Sequence, residues 1–247
     1  MKNEYDNPHF FEAYSQMDRS RKGLEGAGEW HELKKLLPDF KGKSVLDLGC
    51  GYGWHCRYAV EHGAEKVIGI DLSEKMIEKA KEMTDSPKIS YHLMGMEEIN
   101  GLNETFDIVI SSLALHYVSS FNEIAQKVNH CLNTGGVFVF STEHPIFTAK
   151  GTQDWIYDQK GEPIYWPVDR YFDESIRETT FLGETVMKYH KTLTTYLDGL
   201  LTNGFQLMRL VEPMPAPEML EANAEMRQEL RRPMMLLVSA KKINPVA

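Results

Sequence analysis

The sequence predicts an α/β fold: a doubly wound, mostly parallel sheet covered by helices on both faces, with a cap inserted towards its end. Three observations predict it. Residues 44–143 alternate short apolar runs with amphipathic stretches, the pattern of strands and crossover helices. The run Val45-Leu46-Asp47-Leu48-Gly49-Cys50-Gly51-Tyr52-Gly53 leads an apolar strand into a glycine turn, and Asp71 closes the next strand eighteen residues past Gly53. After Glu143 the alternation stops, and Trp155, Tyr157, Tyr165, Trp166, Tyr171 and Phe172 crowd between turn formers.

Taken in order, residues 1–43 hold two expected helices, around 8–17 and 28–37, and read as a helical lid. Residues 44–48 are a buried strand, 54–62 a helix stopped by Gly63, and 66–70 the second strand. Ser73 caps a helix that carries Met76, Ile77, Ala80 and Met83 on one face. Residues 88–93 and 106–111 read as the third and fourth strands. Ser120 and Glu123 form a capping box for a helix with Phe121, Ile124, Ala125, Val128 and Leu132 on one stripe. The turn at 133–136 leads into a fifth strand at 137–141. Residues 144–187 are the cap. Residues 188–203 read as an amphipathic helix ended by Gly204, residues 217–232 as a charged helix, and 205–211 and 233–240 as two closing strands. Four units follow: a lid (1–43), a core (44–143), a cap (144–187) and a C-terminal completion of the sheet (188–247).

Bulk properties narrow the function. Hydrophobic residues make up 42% of 247 and charged residues 26%, which suits a globular domain with a sizeable core. A net charge of -9 argues against nucleic acid as the partner, since phosphate backbones need a basic surface. No apolar run reaches the ~18 residues a membrane span needs, and the start lacks a signal-peptide stretch, so no membrane association is expected. Cys50, Cys56 and Cys131 cannot all pair, which points to reduced thiols and a cytoplasmic protein. The spacing of Cys50, His55 and Cys56 matches no usual zinc pattern, so no metal is expected. Met214, Met219 and Met226 read as core packing, with an acceptor pocket or a dimer contact as the other readings; monomer and homodimer both stay open.

The glycine turn separates two cofactor classes. A dinucleotide site wants G-x-G-x-x-G, but the last glycine position holds Trp54. A pyrophosphate also disfavours a nearby acid, and Asp47 stands two residues before the first glycine. An acid there suits S-adenosylmethionine, with its ammonium and sulfonium charges. Glycines let the backbone approach the methionine tail, and Asp71 can accept from the ribose hydroxyls.

The segments Val-Leu-Asp-Leu-Gly-Cys-Gly-Tyr-Gly (45–53), Gly-Ile-Asp-Leu-Ser-Glu-Lys-Met (69–76), Phe-Asp-Ile-Val-Ile-Ser-Ser-Leu-Ala-Leu-His-Tyr-Val (106–118) and Leu-Asn-Thr-Gly-Gly-Val-Phe-Val-Phe (132–140) together resemble the class I S-adenosylmethionine-dependent methyltransferases of the small-molecule type, methyltransferase-11/25-like. The resemblance implies a Rossmann-like, seven-stranded sheet whose last strand is antiparallel. It implies that Asp47, Gly49 and Gly51 line the methionine tail and that Asp71 holds the ribose. It places Leu72 and Met76 beside the adenine, Met96 and Glu97 at the adenine edge, and Ser111, Ser112 and Leu113 beneath the methionine portion. It also implies a lid over the cofactor, with Tyr14 closing on the methionine end. One position departs from the family: Gly95 stands where many members carry the acid that accepts from the adenine amine, so a backbone carbonyl or Glu97 takes that task.

The acceptor is expected to be a small organic molecule, methylated on O, N or C. Ser-Ser-Leu-Ala-Leu-His follows the fourth strand, where amine-methylating nucleic-acid enzymes carry an Asn/Asp-Pro-Pro-aromatic run, and the aromatic cap suits an apolar pocket. Methyl transfer needs alignment and, for an acidic acceptor, a base. His144 and His190, where cap meets core, are the expected bases, with His116 as a third candidate. Two other readings are an NAD(P)-dependent oxidoreductase and a non-catalytic S-adenosylmethionine-binding sensor or partner subunit. The Trp- and Tyr-rich cap argues against the sensor.

Overall fold

The computed structural model describes residues 4–222 and 224–243. Three short helices come first: α1 (Pro8–Ser15), α2 (Asp18–Arg21) and α3 (Trp30–Leu33). The core follows as β1 (Ser44–Leu48), α4 (Trp54–Glu61), β2 (Lys66–Asp71), α5 (Glu74–Glu82), β3 (Ile89–Leu93), β4 (Phe106–Ser112), α6 (Phe121–Cys131) and β5 (Leu132–Glu143). The cap holds α7 (Pro145–Thr148) and the hairpins β6 (Ile156–Tyr157)–β7 (Pro163–Tyr165) and β8 (Ile176–Phe181)–β9 (Glu184–Tyr189). The chain closes with α8 (Leu193–Thr202), β10 (Phe205–Val211), α9 (Pro217–Ala222) and β11 (Met235–Lys242).

The main sheet has seven strands in the order β10-β11-β5-β4-β1-β2-β3. The five core strands run parallel, and β11 is antiparallel to both β5 and β10. This is the Rossmann-like fold of the class I methyltransferases, as expected. Side chains alternate across each strand, so the sheet faces two cores. Leu46, Leu48, Ile68, Ile70, Phe138 and Phe140 pack with Phe121, Tyr196 and Leu200 of α6 and α8 on one face. Val45, Val67, Ile108 and Ile110 pack with Cys56, Ala59, Ile77 and Ala80 of α4 and α5 on the other. Helix α3 adds Trp30 and Leu33 against Val139 and Leu237.

The caps follow the sequence: Ser73 Oγ accepts from Met76 N at 3.2 Å, and Ser120 Oγ accepts from Glu123 N at 3.2 Å. Where the sequence suggests one helix over 188–203, Lys188 and Tyr189 finish β9 and the helix begins at Leu193. Thr192 is its N-cap, accepting from Thr195 N at 3.2 Å. The β-branched Thr185 and Val186, paired with Thr180 and Thr179 across a hairpin, favour a strand there. That hairpin crosses the expected cap boundary at 187. The helix expected around 28–37 is confined to Trp30–Leu33. The charged helix expected at 217–232 is α9 followed by a 3-10 stretch over Ala224–Arg231, with residue 223 outside the described residues. Among the described residues, no helix is long and apolar enough to cross a membrane.

Candidate active site

The carboxyl ends of β1, β2, β4 and β5 open into one cavity of about 540 Å³, within the range of small-molecule sites. Its roof is the N-terminal segment and its far wall is the β8–β9 hairpin. Tyr14, Gly49, Gly51, Asp71, Leu72, Met76, Met96, Glu97 and Leu113 all line it, so one space gathers nine of the residues singled out in the sequence.

The glycine turn is shaped for close approach. Gly49 has φ 70°, and a Cβ there would lie 2.5 Å from the Ala114 Cβ. Gly51 has φ 51°, and a Cβ on it would meet nothing within 4 Å, which leaves bare backbone facing the space. Asp71 ends β2 with its carboxylate fixed by two backbone donors: Gly51 N to Oδ2 and Ser73 N to Oδ1, both at 2.9 Å. Burial raises its pKa, and those two amides act against the rise. A carboxylate offers about four acceptor positions, so capacity remains for a diol. Leu113 adopts φ 51°, a strained conformation for a branched side chain, held by Ser141 through its carbonyl (2.9 Å) and hydroxyl (3.1 Å).

Two expected tail contacts lie elsewhere. Asp47 shares the strand face of Val45 and points towards α4, away from the cavity. Its Oδ2 accepts from Cys56 Sγ at 3.3 Å, its Oδ1 has no partner, and burial pushes its pKa up to about 7. Ser111 Oγ donates to Leu48 O at 3.0 Å and is fully buried. A charged side chain enters the same cavity from the N-terminal segment. Arg19 lines the cavity and donates through Nη2 to Glu29 Oε1 at 2.7 Å, and Ser112 Oγ donates to the same oxygen at 3.2 Å. The N-terminal segment is tied down by Asp6, whose Oδ1 accepts from Ser73 Oγ at 2.6 Å and Lys75 N at 3.2 Å, and by Phe10 packed on Phe181.

Neither expected base reaches the cavity, and each ring is already engaged. His144 caps α7: its Nδ1 accepts from Ile146 N at 3.0 Å, and its Nε2 lies 2.8 Å from Glu212 Oε1. His190 Nε2 donates to Tyr171 O at 2.9 Å, which leaves Nδ1 to accept from Thr148 Oγ1 at 2.7 Å. Of the three candidate histidines, His116 lines the cavity. It is 3% exposed, its Nδ1 has no partner, and burial drives its pKa down to about 3, so it is neutral.

Beside it lies a buried ionic group that the sequence did not suggest. Lys188 Nζ donates to Glu143 Oε1 at 2.5 Å and to Gln153 Oε1 at 3.2 Å, and Gln153 Nε2 donates to Glu143 Oε2 at 2.7 Å. Burial would raise Glu143, but Lys188 and Gln153 hold it below the usual carboxylate range. Glu143 had a signal, since it closes the fifth strand at the sheet's carboxyl edge. Arg19, Gln153 and Lys188 had none, because a short helix, a loop and a hairpin bring them in. Among the described residues, no group of three His, Cys, Asp or Glu side chains is placed to hold a metal.

The chain resembles known proteins throughout its length. A methyltransferase domain model matches residues 45–136. A solved structure from Listeria monocytogenes, assigned to the S-adenosylmethionine-dependent methyltransferases, is 58% identical over 90% of this chain and 100% of its own, with a TM-score of 0.85. An S-adenosylmethionine-dependent methyltransferase from Mesorhizobium loti is 42% identical over 89% of this chain and 100% of its own, with a TM-score of 0.81. An uncharacterized protein of Haemophilus influenzae is 34% identical over 97% of both chains.

Proposed function

The chain belongs to the S-adenosylmethionine-dependent methyltransferases, and from that premise we propose that it methylates a small organic molecule held in the same cavity as the cofactor. The observation that carries this reading is the continuity of the cavity. One space runs from Asp71 to the Glu143–Lys188 pair beneath a lid and a hairpin, with both ends walled by side chains.

The cofactor fits the first end. Asp71 takes the ribose hydroxyls, Leu72, Met76, Met96 and Glu97 border the adenine, and Gly49, Gly51 and Leu113 lie along the tail. Arg19, with Glu29 and Ser112 behind it, takes the methionine carboxylate, and Tyr14 closes the roof. Asp47 acts from beneath the turn, with its carboxyl group facing Cys56 rather than the tail. When bound, S-adenosylmethionine supplies an electrophilic methyl group on a sulfonium centre.

The chain's own work is alignment and exclusion of water. The lid (residues 4–43) and the β8–β9 hairpin close the cavity from above and beside the sheet. His116 is too weakly basic to accept a proton at neutral pH, so it orients the acceptor through a hydrogen bond. His144 and His190 are positioning residues: the first caps α7, which carries Phe147 into the wall, and the second pins the end of β9 to the cap. The buried, unpaired thiols suit a reducing cytoplasm.

Thermal shift tests this reading. S-adenosylhomocysteine raises Tm and NAD does not, because only a ligand of the folded state stabilises it. In Asp71→Asn the S-adenosylhomocysteine effect on Tm falls by more than half. Stabilisation by NAD alone would overturn the assignment of the cavity.

A further inference from the structure

We infer that Lys191 is a positioning residue for cofactor binding: its buried ammonium fixes the backbone of the wall segment 115–118, and through that segment the closed lid. The inference rests on the reading that S-adenosylmethionine occupies this cavity.

The segment that follows β4 runs along the cavity, which Leu113, Ala114, His116, Tyr117 and Val118 all line. Ser141 fixes its start through Leu113 N. Its far end is fixed from the junction of β9 and α8. There Lys191 Nζ donates to Val118 O at 2.6 Å and lies 3.5 Å from both Leu115 O and Tyr189 O. The Leu115 and Val118 side chains pack into the core, which sets where the segment lies. The bonds to their carbonyls set how it is turned, and so where His116 and Tyr117 between them project. Tyr117 then reaches the lid, its hydroxyl 3.1 Å from that of Tyr5, and Tyr5 packs edge-on against Phe10 and Tyr14. One line of contacts thus joins Lys191 to the roof of the cofactor end.

The ammonium is 3% exposed as part of its residue and is bonded to carbonyls rather than to a carboxylate. A cation buried in that way is a poor source of stability. What it supplies is direction, through charge-assisted bonds to fixed backbone atoms. Burial also lowers its pKa to about 8, against the pull of Glu174. The groups around it are Glu174, His116, Tyr117, His190 and the Tyr189 ring, whose centroid is 5.4 Å from Nζ. Burial would raise Glu174, but Thr192 and Thr195 hold it low, so it stays an anion. Burial lowers both histidines and raises Tyr117, so these stay neutral while Lys191 loses its charge between pH 7 and pH 9. The neutral amine has one donor fewer and binds the carbonyls more weakly.

Calorimetry with S-adenosylhomocysteine at pH 7 and pH 9 tests the inference on the parent, Lys191→Met and Lys191→Arg, with melting temperatures to check folding. At pH 7 the Met variant is expected to bind at least about fivefold more weakly than the parent. The Arg variant, a cation at both pH values, is expected to stay within about threefold of the parent at pH 7. Between pH 7 and pH 9 the parent is expected to lose at least about threefold more affinity than either variant. The ligand's own ammonium titrates in that interval in all three proteins alike, so the excess loss in the parent is the readout. A lysine that only stabilised the fold would lower the melting temperature and leave affinity and its pH profile unchanged. The inference is overturned if Lys191→Met binds as tightly as the parent, or if the three proteins share one pH profile. Should Lys191→Met unfold, the pH profiles of the parent and Lys191→Arg carry the test. Failure of the parent to bind at pH 7 would overturn the proposed function, and the inference with it, so the two failures are distinguishable.

Discussion

Asp47 shows how one residue can be visible in a sequence and still be misplaced by it. Its position before the glycine turn marks the cofactor class, but strand alternation sends its carboxylate to the α4 face, against Cys56. There it titrates near 7, against 3.8 in an open environment. Between those values the folded state holds a proton that the unfolded chain has released. Stability therefore falls as pH rises from about 4 to about 7 and stays lower above that. Each pH unit between the two titrations is worth about 1.4 kcal/mol. Asp47→Asn is thus expected to gain stability over the parent at pH 8 relative to pH 4.5, by a few kcal/mol. Urea denaturation of both proteins at the two pH values measures it, and an equal difference at both would contradict the burial argument. Asp71 needed no such correction, because a strand's last residue at the sheet's carboxyl edge reaches the crevice whichever face it belongs to. His144 and His190 were plausible from sequence for the same edge position. What the sequence could not give was that each ring would find a local partner, Ile146 N in one case and Thr148 in the other.

At the scale of elements, the strands from β1 to β5 were legible because each is a short apolar run between turn formers. Their caps were legible because Ser73 and Ser120 sit three residues before the amides they serve. The β8–β9 hairpin was not. Thr179, Thr180, Thr185 and Val186 form too short an alternation to compete with the helix-like pattern that follows, and the strands exist through pairing with each other. Nor was the lid's attachment visible, since Asp6 reaches Ser73 across 67 residues of chain. The lid helices are short and owe their order to contacts such as Phe10, fully buried against Phe181. Bound S-adenosylhomocysteine adds a ligand beneath Arg19, so trypsin cleavage at Arg19, Arg21 and Lys22 is expected to slow at least about fivefold. Phe10→Ala removes a large buried ring and is expected to restore fast cleavage even with ligand present. Cleavage that ignores the ligand would contradict the lid.

The whole molecule combines a sheet that fixes one half of a cavity with additions that finish the other half. The sheet edge supplies Asp71, the glycine turn and Glu143; the lid supplies Arg19 and Tyr14; the cap supplies Gln153 and Lys188. Asp71 and the glycine turn were readable through the resemblance, whereas Glu143 had only its edge position as a signal. Of the other residues, only Tyr14 was singled out, through the resemblance; Arg19, Gln153 and Lys188 come together only in three dimensions. The most direct measurement is to incubate the protein with methyl-labelled S-adenosylmethionine and the low-molecular-weight fraction of a cell extract, alongside its RNA and protein fractions. Label is predicted to enter the low-molecular-weight fraction and to fall at least about tenfold with Asp71→Asn. Label appearing only in RNA or protein, or in no fraction, would contradict methyl transfer to a small molecule.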